Sequence, residues 1–452
     1  MHIYKQVMKK LFLSFALLFL NAPLANALNL EEALVDAYYN NPSLKSEIER
    51  QKAVDENLPQ AYSGWLPNLS VNYRAGKEKE KFGLGAKEET ITPNTTTLTL
   101  KQSLFSGGRT YAGINQAYNN ILSGQNRLRE IEQRVLLEAI KAYVDLVTTR
   151  EILALSKKNE SALEEQLKST RERFQLGETT KTDVSQAESR LARGQSDRIN
   201  ADGNYISARS QYRKIFLTEP PNDASIPDSL PSIKYSFGEA KKIALVNNPV
   251  LKTSEYNAAA ADDSVMISAS SLLPQVDLTA QAQRQDNVST RLGERIEDKS
   301  VFFNVSIPLY QSGYQYSRLR QAKDNAQSAK FQLEDAVNAT IDALTKAWRD
   351  IQTSRANIKA TSASVASARF ALEGVRQEQE IGSRTTLDIL DAEQELFVAQ
   401  VGLARAKQDE VVAVYTLKSV LGELTAKDLA LNVDIYKAEK HFKNTKYKMI
   451  GF

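Results

Sequence analysis

The 452-residue chain contains no cysteine, so neither disulfides nor thiol chemistry contribute to it. Its two histidines are His2, near the N-terminus, and His441, in a charged tail. Imidazole-based metal sites and Ser-His or Cys-His catalysis are therefore nearly excluded for the folded body. A Gly-rich phosphate loop and a Gly-x-Ser-x-Gly elbow are also missing. Carboxylate chemistry remains, but no constellation specifies it, so the chain does not read as an enzyme and no cofactor is implied. With 58 basic and 55 acidic residues the net charge is +3, which argues against a general nucleic-acid binder. No segment beyond the first residues approaches about eighteen consecutive apolar positions, as a transmembrane helix requires. Any contact with a membrane must be made by strands.

Proline is scarce where it matters. All twelve prolines fall before Asn94, between Pro220 and Pro274, or at Pro308. Proline inside a helix costs about 3 kcal/mol, so the two long proline-free gaps are where long helices can form.

At the N-terminus, Lys9 and Lys10 precede the apolar run Leu11 to Leu20 and the small-residue site Ala25-Asn26-Ala27. That order predicts a secretory signal peptide over 1–27 and a mature chain from Leu28, with no cysteine to carry an N-terminal lipid.

The mature chain reads as a tandem duplication, 28–218 and 236–424, joined by a proline-rich linker over 219–235. Leu176 to Leu191 echoes Ile381 to Leu396: Gly177, Thr180, Asp183, Ala187 and Glu188 have the spacing of Gly382, Thr385, Asp388, Ala392 and Glu393. Glycine after a long apolar-periodic run suits a left-handed helix end, and Thr followed three residues later by Asp is capping-box spacing. Read locally, Asp183 and Asp388 only start helices. Arg384 and Asp391, the extra charges of the second copy, are not explained by capping.

Each half predicts the same succession of elements. A helix interrupted at Asn41-Pro42 or Asn247-Asn248-Pro249 leads to Leu-Pro, where the periodicity changes to alternation. Leu69, Val71, Tyr73 and Ala75, then Leu98, Leu100 and Leu104, mark a hairpin over 67–105. Val276, Leu278, Ala280 and Ala282, then Val301, Phe303, Val305, Ile307 and Leu309, mark another over 274–309. Strands of about ten residues are long enough to cross a bilayer core when tilted, and Trp65, Tyr73, Phe105, Phe302 and Tyr310 lie near their ends. Long helices follow over 107–176 and 313–381. Val337, Leu344, Ile351, Ile358, Val365 and Leu372 repeat every seven residues, as do Leu146, Leu153, Leu167 and Phe174 with one gap, predicting coiled-coil seams. Such a helix would be about 100 Å long. Return helices are expected over 180–216 and 385–421. Residues 425–452 are expected to supply an equatorial segment and a basic, lysine-rich C-terminal tail that is partly disordered.

Four membrane-length strands leave two open edges, which lipid does not tolerate, so assembly is obligatory. Helix, hairpin, long helix, Gly-x-x-Thr-x-x-Asp turn and helix, all twice behind a signal peptide, resemble the TolC family of outer-membrane channel-tunnel proteins, in its unlipidated branch. The resemblance implies an α-dominated α+β membrane protein. In that family three chains build a twelve-stranded barrel, four strands from each, continuous with a coiled-coil tunnel. It implies a Gram-negative outer membrane and its lipid, a periplasmic adaptor (membrane fusion protein), and an inner-membrane pump of the ABC or RND type. The implied function is a passive exit duct for type I secretion or multidrug efflux.

Carried over by position, Asp388 and Asp391 match the family's acidic ring at the periplasmic entrance, a place for divalent-cation block. Arg384 matches the arginine that ties neighbouring coiled coils shut, with Thr182 and Asp183 as partners. Gln379 stands where the family's reference member has a tyrosine, and glutamine can hydrogen-bond but not stack. Gly177 and Gly382 match the turns where adaptor tips dock. A structural coiled-coil envelope protein without transport would explain the heptads but not the paired hairpins.

Overall fold

The computed structural model describes residues 30–448 except 82–84, 86, 87, 222, 228 and 288–294. The signal-peptide expectation and the last four residues lie outside that range. The first helices are α1 (Leu30–Asn40) and α2 (Pro42–Asp55). Asn41 separates them: its side chain accepts hydrogen bonds from the Ser43 and Leu44 amides while Pro42 occupies the first helical position. Asn248 plays the same part between α6 (Phe237–Asn247) and α7 (Pro249–Ser270), accepting from the Leu251 amide behind Pro249. A second break, not expected from the pattern, separates α2 from α3 (Asn57–Tyr62). Pro59 explains it, since its ring opposes the carbonyl of Asp55 four residues back.

Four strands form one antiparallel sheet: β1 (Asn68–Ala75), β4 (Asn94–Ser106), β5 (Gln275–Asp286) and β6 (Arg295–Ser306), in the order β1-β4-β5-β6. The two halves of the chain thus meet at β4 and β5. A short ribbon of β2 (Glu78–Glu80) and β3 (Glu89–Ile91) extends the first hairpin within what reads as a charged loop. Two departures from strict alternation have local causes. Leu104 is the extra residue of a bulge between Ser103 and Phe105. Ile307 and Leu309 fall outside β6, which stops at Ser306 before Pro308, a residue with no amide to donate.

The register makes the sheet two-faced. Leu69, Leu100, Ala280 and Val301 stand directly opposite one another across all four strands. One position along, Ser70, Thr99, Gln281 and Ser300 form the matching row on the other face. Among the described residues nothing covers the apolar side: Tyr73 is 69% exposed and Val301 70%.

Below the sheet lie α4 (Arg109–Gln175) and α8 (Tyr314–Glu380), each 67 residues and so about 100 Å long. Their return helices are α5 (Lys181–Phe216) and α9 (Thr386–Leu421). Of the heptad positions, Leu146, Leu153, Leu167, Leu344, Ile351 and Leu372 are buried and Val337, Ile358 and Val365 half-buried. Phe174, in the last turn of α4, differs: it is 43% exposed. The main core joins α1, α4, α5 and α9 through Tyr143, Tyr212, Phe216 and Val411.

The linker contributes Ala224 to this core, and the segment after α9 contributes Leu424, Ala426 and Leu431. The tail therefore differs from expectation through Lys448. It is anchored by three buried apolar side chains and ends in α10 (Ala438–Thr445). Among the described residues no helix is long and apolar enough to cross a membrane.

Candidate functional site at the hairpin tips

The far end of each hairpin is built by local chemistry. Gly177 (φ +79°) and Gly382 (φ +80°) follow α4 and α8 in the left-handed conformation, which glycine adopts without steric cost. Their amides donate to Phe174 O at 3.0 Å and Gln379 O at 2.9 Å, and the next amides, Glu178 and Ser383, reach Arg173 O and Glu378 O. Two-bond closures of this kind satisfy the last helical carbonyls. The return helices then start with capping boxes. Thr180 Oγ1 accepts from the Asp183 amide, and Thr385 Oγ1 from the Asp388 amide, while each aspartate accepts from its threonine amide.

These bonds tune both carboxylates. The Thr179 hydroxyl and the Thr180 amide and hydroxyl hold Asp183 below the ordinary aspartate value. The Thr385 amide and hydroxyl do the same for Asp388, with Arg384 adding a weaker attraction. Both groups are therefore ionised throughout the neutral range.

Arg384 does not contact Thr182 or Asp183 within the single chain. Its Nε donates to Glu378 Oε2 at 2.7 Å, across its own turn. Thr182 is exposed on the neighbouring hairpin, and Gln379 supplies its carbonyl to the glycine turn. Asp391 is exposed, one helical turn beyond Asp388, and bonds Arg190 of α5. That pair ties the two return helices together near the tip. Beside it, Leu390 inserts from α9 among Leu163, Leu167 and Ala187 of the other hairpin.

Arg190 and two further pairs escaped the sequence reading. Arg171 bonds Glu188 at 2.6 Å, and Arg376 bonds Glu393 at 3.0 Å, each pair spanning the turn with the same seventeen-residue separation. The two copies of the turn could have revealed the repetition. Burial could not have been foreseen: the Glu188 side chain is 48% exposed, whereas Glu393 is 7% exposed where α9 meets the other hairpin. Glu393 Oε2 has no partner among the described residues.

Burial pushes the Glu393 carboxyl up, Arg376 pulls it partly back, and Glu165 on α4 raises it further. A raised carboxyl binds its proton more tightly when folded, so its contribution to stability is present below the ordinary glutamate range and is lost as pH rises through the folded value. Glu393→Gln keeps an acceptor for Arg376 and removes the buried charge. Its melting temperature should equal or exceed that of the unmodified protein at about pH 7.5, with the difference shrinking towards about pH 5. Thermal scans at both values check this; a variant less stable at the higher pH would show that the charge itself holds the seam.

A sheet with one exposed apolar face, carried on helical hairpins about 100 Å long, defines a class of protein whose sheet must be covered by lipid or by further chains. The sequence profile of the outer membrane efflux protein family matches residues 33–216 and 241–423, and the chain belongs to that family. It is similar over 93% of its length, at 32% identity, to outer membrane efflux protein BepC of Brucella suis, covering 91% of that chain. Alkaline protease secretion protein AprF of Pseudomonas aeruginosa is 26% identical over 88% of this chain and 86% of its own. Among solved structures, the Campylobacter jejuni CmeC outer membrane channel superposes with a TM-score of 0.80, covering 93% of this chain and 90% of that one. At 16% identity that likeness concerns the fold alone. The protein is thus an outer-membrane protein extending into the periplasm.

Proposed function

We propose that three copies of this chain close their sheets into a twelve-stranded barrel and their helices into a tube, forming a passive exit duct across the outer membrane. The carrying observation is the four-stranded sheet itself, with an uncovered apolar face and, at β1 and β6, an unpaired edge on each side among the described residues. An edge in lipid costs several kcal/mol per unpaired backbone group, which closure by further copies removes. The polar row Ser70, Thr99, Gln281 and Ser300 then faces a water-filled lumen. The two similar halves, each with sheet strands, a long helix and a Gly-x-x-Thr-x-x-Asp turn, are the product of a tandem duplication.

The duct narrows at the hairpin tips. Three copies of Asp388 and Asp391 form an acidic ring that attracts cations, and Arg384 exchanges Glu378 for Thr182 and Asp183 of an adjoining hairpin when the end is shut. Gln379 supplies at most a hydrogen bond to that closure. Gly177 and Gly382 receive the hairpins of a periplasmic adaptor, flanked by Leu176 and Ile381, which are left exposed at the very tips. The adaptor connects the duct to an ABC or RND pump. BepC is named for efflux and AprF for protease secretion, and a passive conduit serves either cargo. A purely structural coiled coil would bury its seams in the same way, but it has no use for a two-faced, edge-open sheet. Conductance of the purified protein in planar bilayers tests the proposal.

A further inference from the structure

The lysine-rich C-terminal segment contributes no strand and no long helix, yet the fold holds it by specific contacts. From Tyr436 to Lys448 the chain climbs beside α2 and α3 towards the sheet. Its contacts follow in order: the Tyr436 amide donates to Tyr38 Oη, His441 Nδ1 meets Asp55 Oδ2 at 2.7 Å, and Phe442 packs by Tyr118. Asp55 is wholly buried and also accepts from Gln51 at 2.7 Å. At the top, the Tyr447 ring lies 6.2 Å from Tyr62, which lies 5.9 Å from Trp65, three residues before β1 begins. Trp65 and Tyr447 are both exposed.

The inward face of α10 is thus spent on Asp55 and on an apolar cluster with Leu58, Ala117 and Ile121. Its outward face is cationic. Residues 437–448 carry five lysines against one glutamate; Lys437, Lys440, Lys443 and Lys448 are exposed, and Lys446 lies 4.7 Å from the Tyr447 ring centroid. The corresponding helix of the second half, α7, has no such cover among the described residues.

We infer that α10 and the lysines around it bind anionic phospholipid headgroups on the periplasmic face of the outer membrane, fastening the helical body against the bilayer beside the foot of the strands. Two observations select this partner. The lysine face is complementary to a negatively charged surface, and it is continuous through Tyr447, Tyr62 and Trp65 with the level at which the uncovered apolar sheet begins. Aromatic rings and lysines together at one end of membrane strands are what an interface favours, the rings at headgroup depth and the ammonium groups among phosphates.

The inference rests on the strands being seated in the membrane, and its test separates the two. Full-length protein is placed in nanodiscs of phosphatidylcholine alone or with phosphatidylglycerol added, and amide hydrogen exchange is followed over 438–448. With phosphatidylglycerol, exchange should slow by about fivefold or more for each lysine engaged, and the protection should vanish at about 0.5 M salt. Lys440→Gln with Lys443→Gln and Lys446→Gln should abolish it while leaving sheet amides unchanged. Equal exchange in the two kinds of disc, or protection that salt does not remove, overturns the lipid contact alone. Protection that appears only when peptidoglycan fragments are added overturns it in favour of the cell wall. A chain that fails to enter either disc overturns the membrane reading as well.

Discussion

Replacing Asp388 and Asp391 together with alanine should lift divalent-cation block of the channel, raising the half-blocking concentration by at least about tenfold. Three chains would bring six carboxylates to one narrow opening, and multiple carboxylate oxygens are what a hard divalent cation prefers. The two aspartates are not equivalent. Asp388 is held ionised by the Thr385 amide and hydroxyl, whereas Asp391 is bonded to Arg190 within the chain. Much of the charge of the second carboxylate is therefore already neutralised, and Arg190→Gln should tighten the block in the same recordings. Block that is unchanged in the double alanine variant would show that the ring has been assigned to the wrong residues.

A bulky residue at Gly382 should abolish export and leave the assembled protein intact. The glycine sits at φ +80°, and a Cβ built there meets nothing within 4 Å. Gly382→Leu therefore strains one exposed turn by about 1–2 kcal/mol without disturbing a packed seam, too little to dismantle helices of this length. What it changes is the outer contour of the tip next to Ile381, where an adaptor hairpin would have to fit. Asparagine tolerates left-handed backbone, so Gly382→Asn should retain most export and separate strain from bulk. Export assays alongside crosslinking of the assembled protein check this. Loss of assembly would mean that the glycine serves only to end α8.

The long helices were legible because proline excludes them so strongly: the gaps from Asn94 to Glu219 and from Leu309 onwards contain α4, α5, α8 and α9. Alternation located the strands, since one face of each had to be apolar. The finer features depend on partners far away in sequence. Arg190 and Asp391 are 201 residues apart, so neither could be assigned to the other from spacing. Glu393 shares with Glu188 its place in the repeat and an arginine partner seventeen residues back, and differs in what packs over it. The tail misled because its lysines suggest a solvated segment, whereas Leu424, Ala426 and Leu431 supply the apolar anchors and His441 finds a buried carboxylate. Arg384 showed a similar limit, because within one chain it bonds Glu378.

Single-channel recording of the purified protein and of Arg384→Ser in planar bilayers is the most direct test of a gated duct. A gated duct predicts stable, discrete conductance steps for the unmodified chain, and steps several-fold larger once Arg384 no longer helps to hold the tips together. A protein that fractionates with outer membranes and inserts into the bilayer, yet passes no current even after Arg384→Ser, would contradict it.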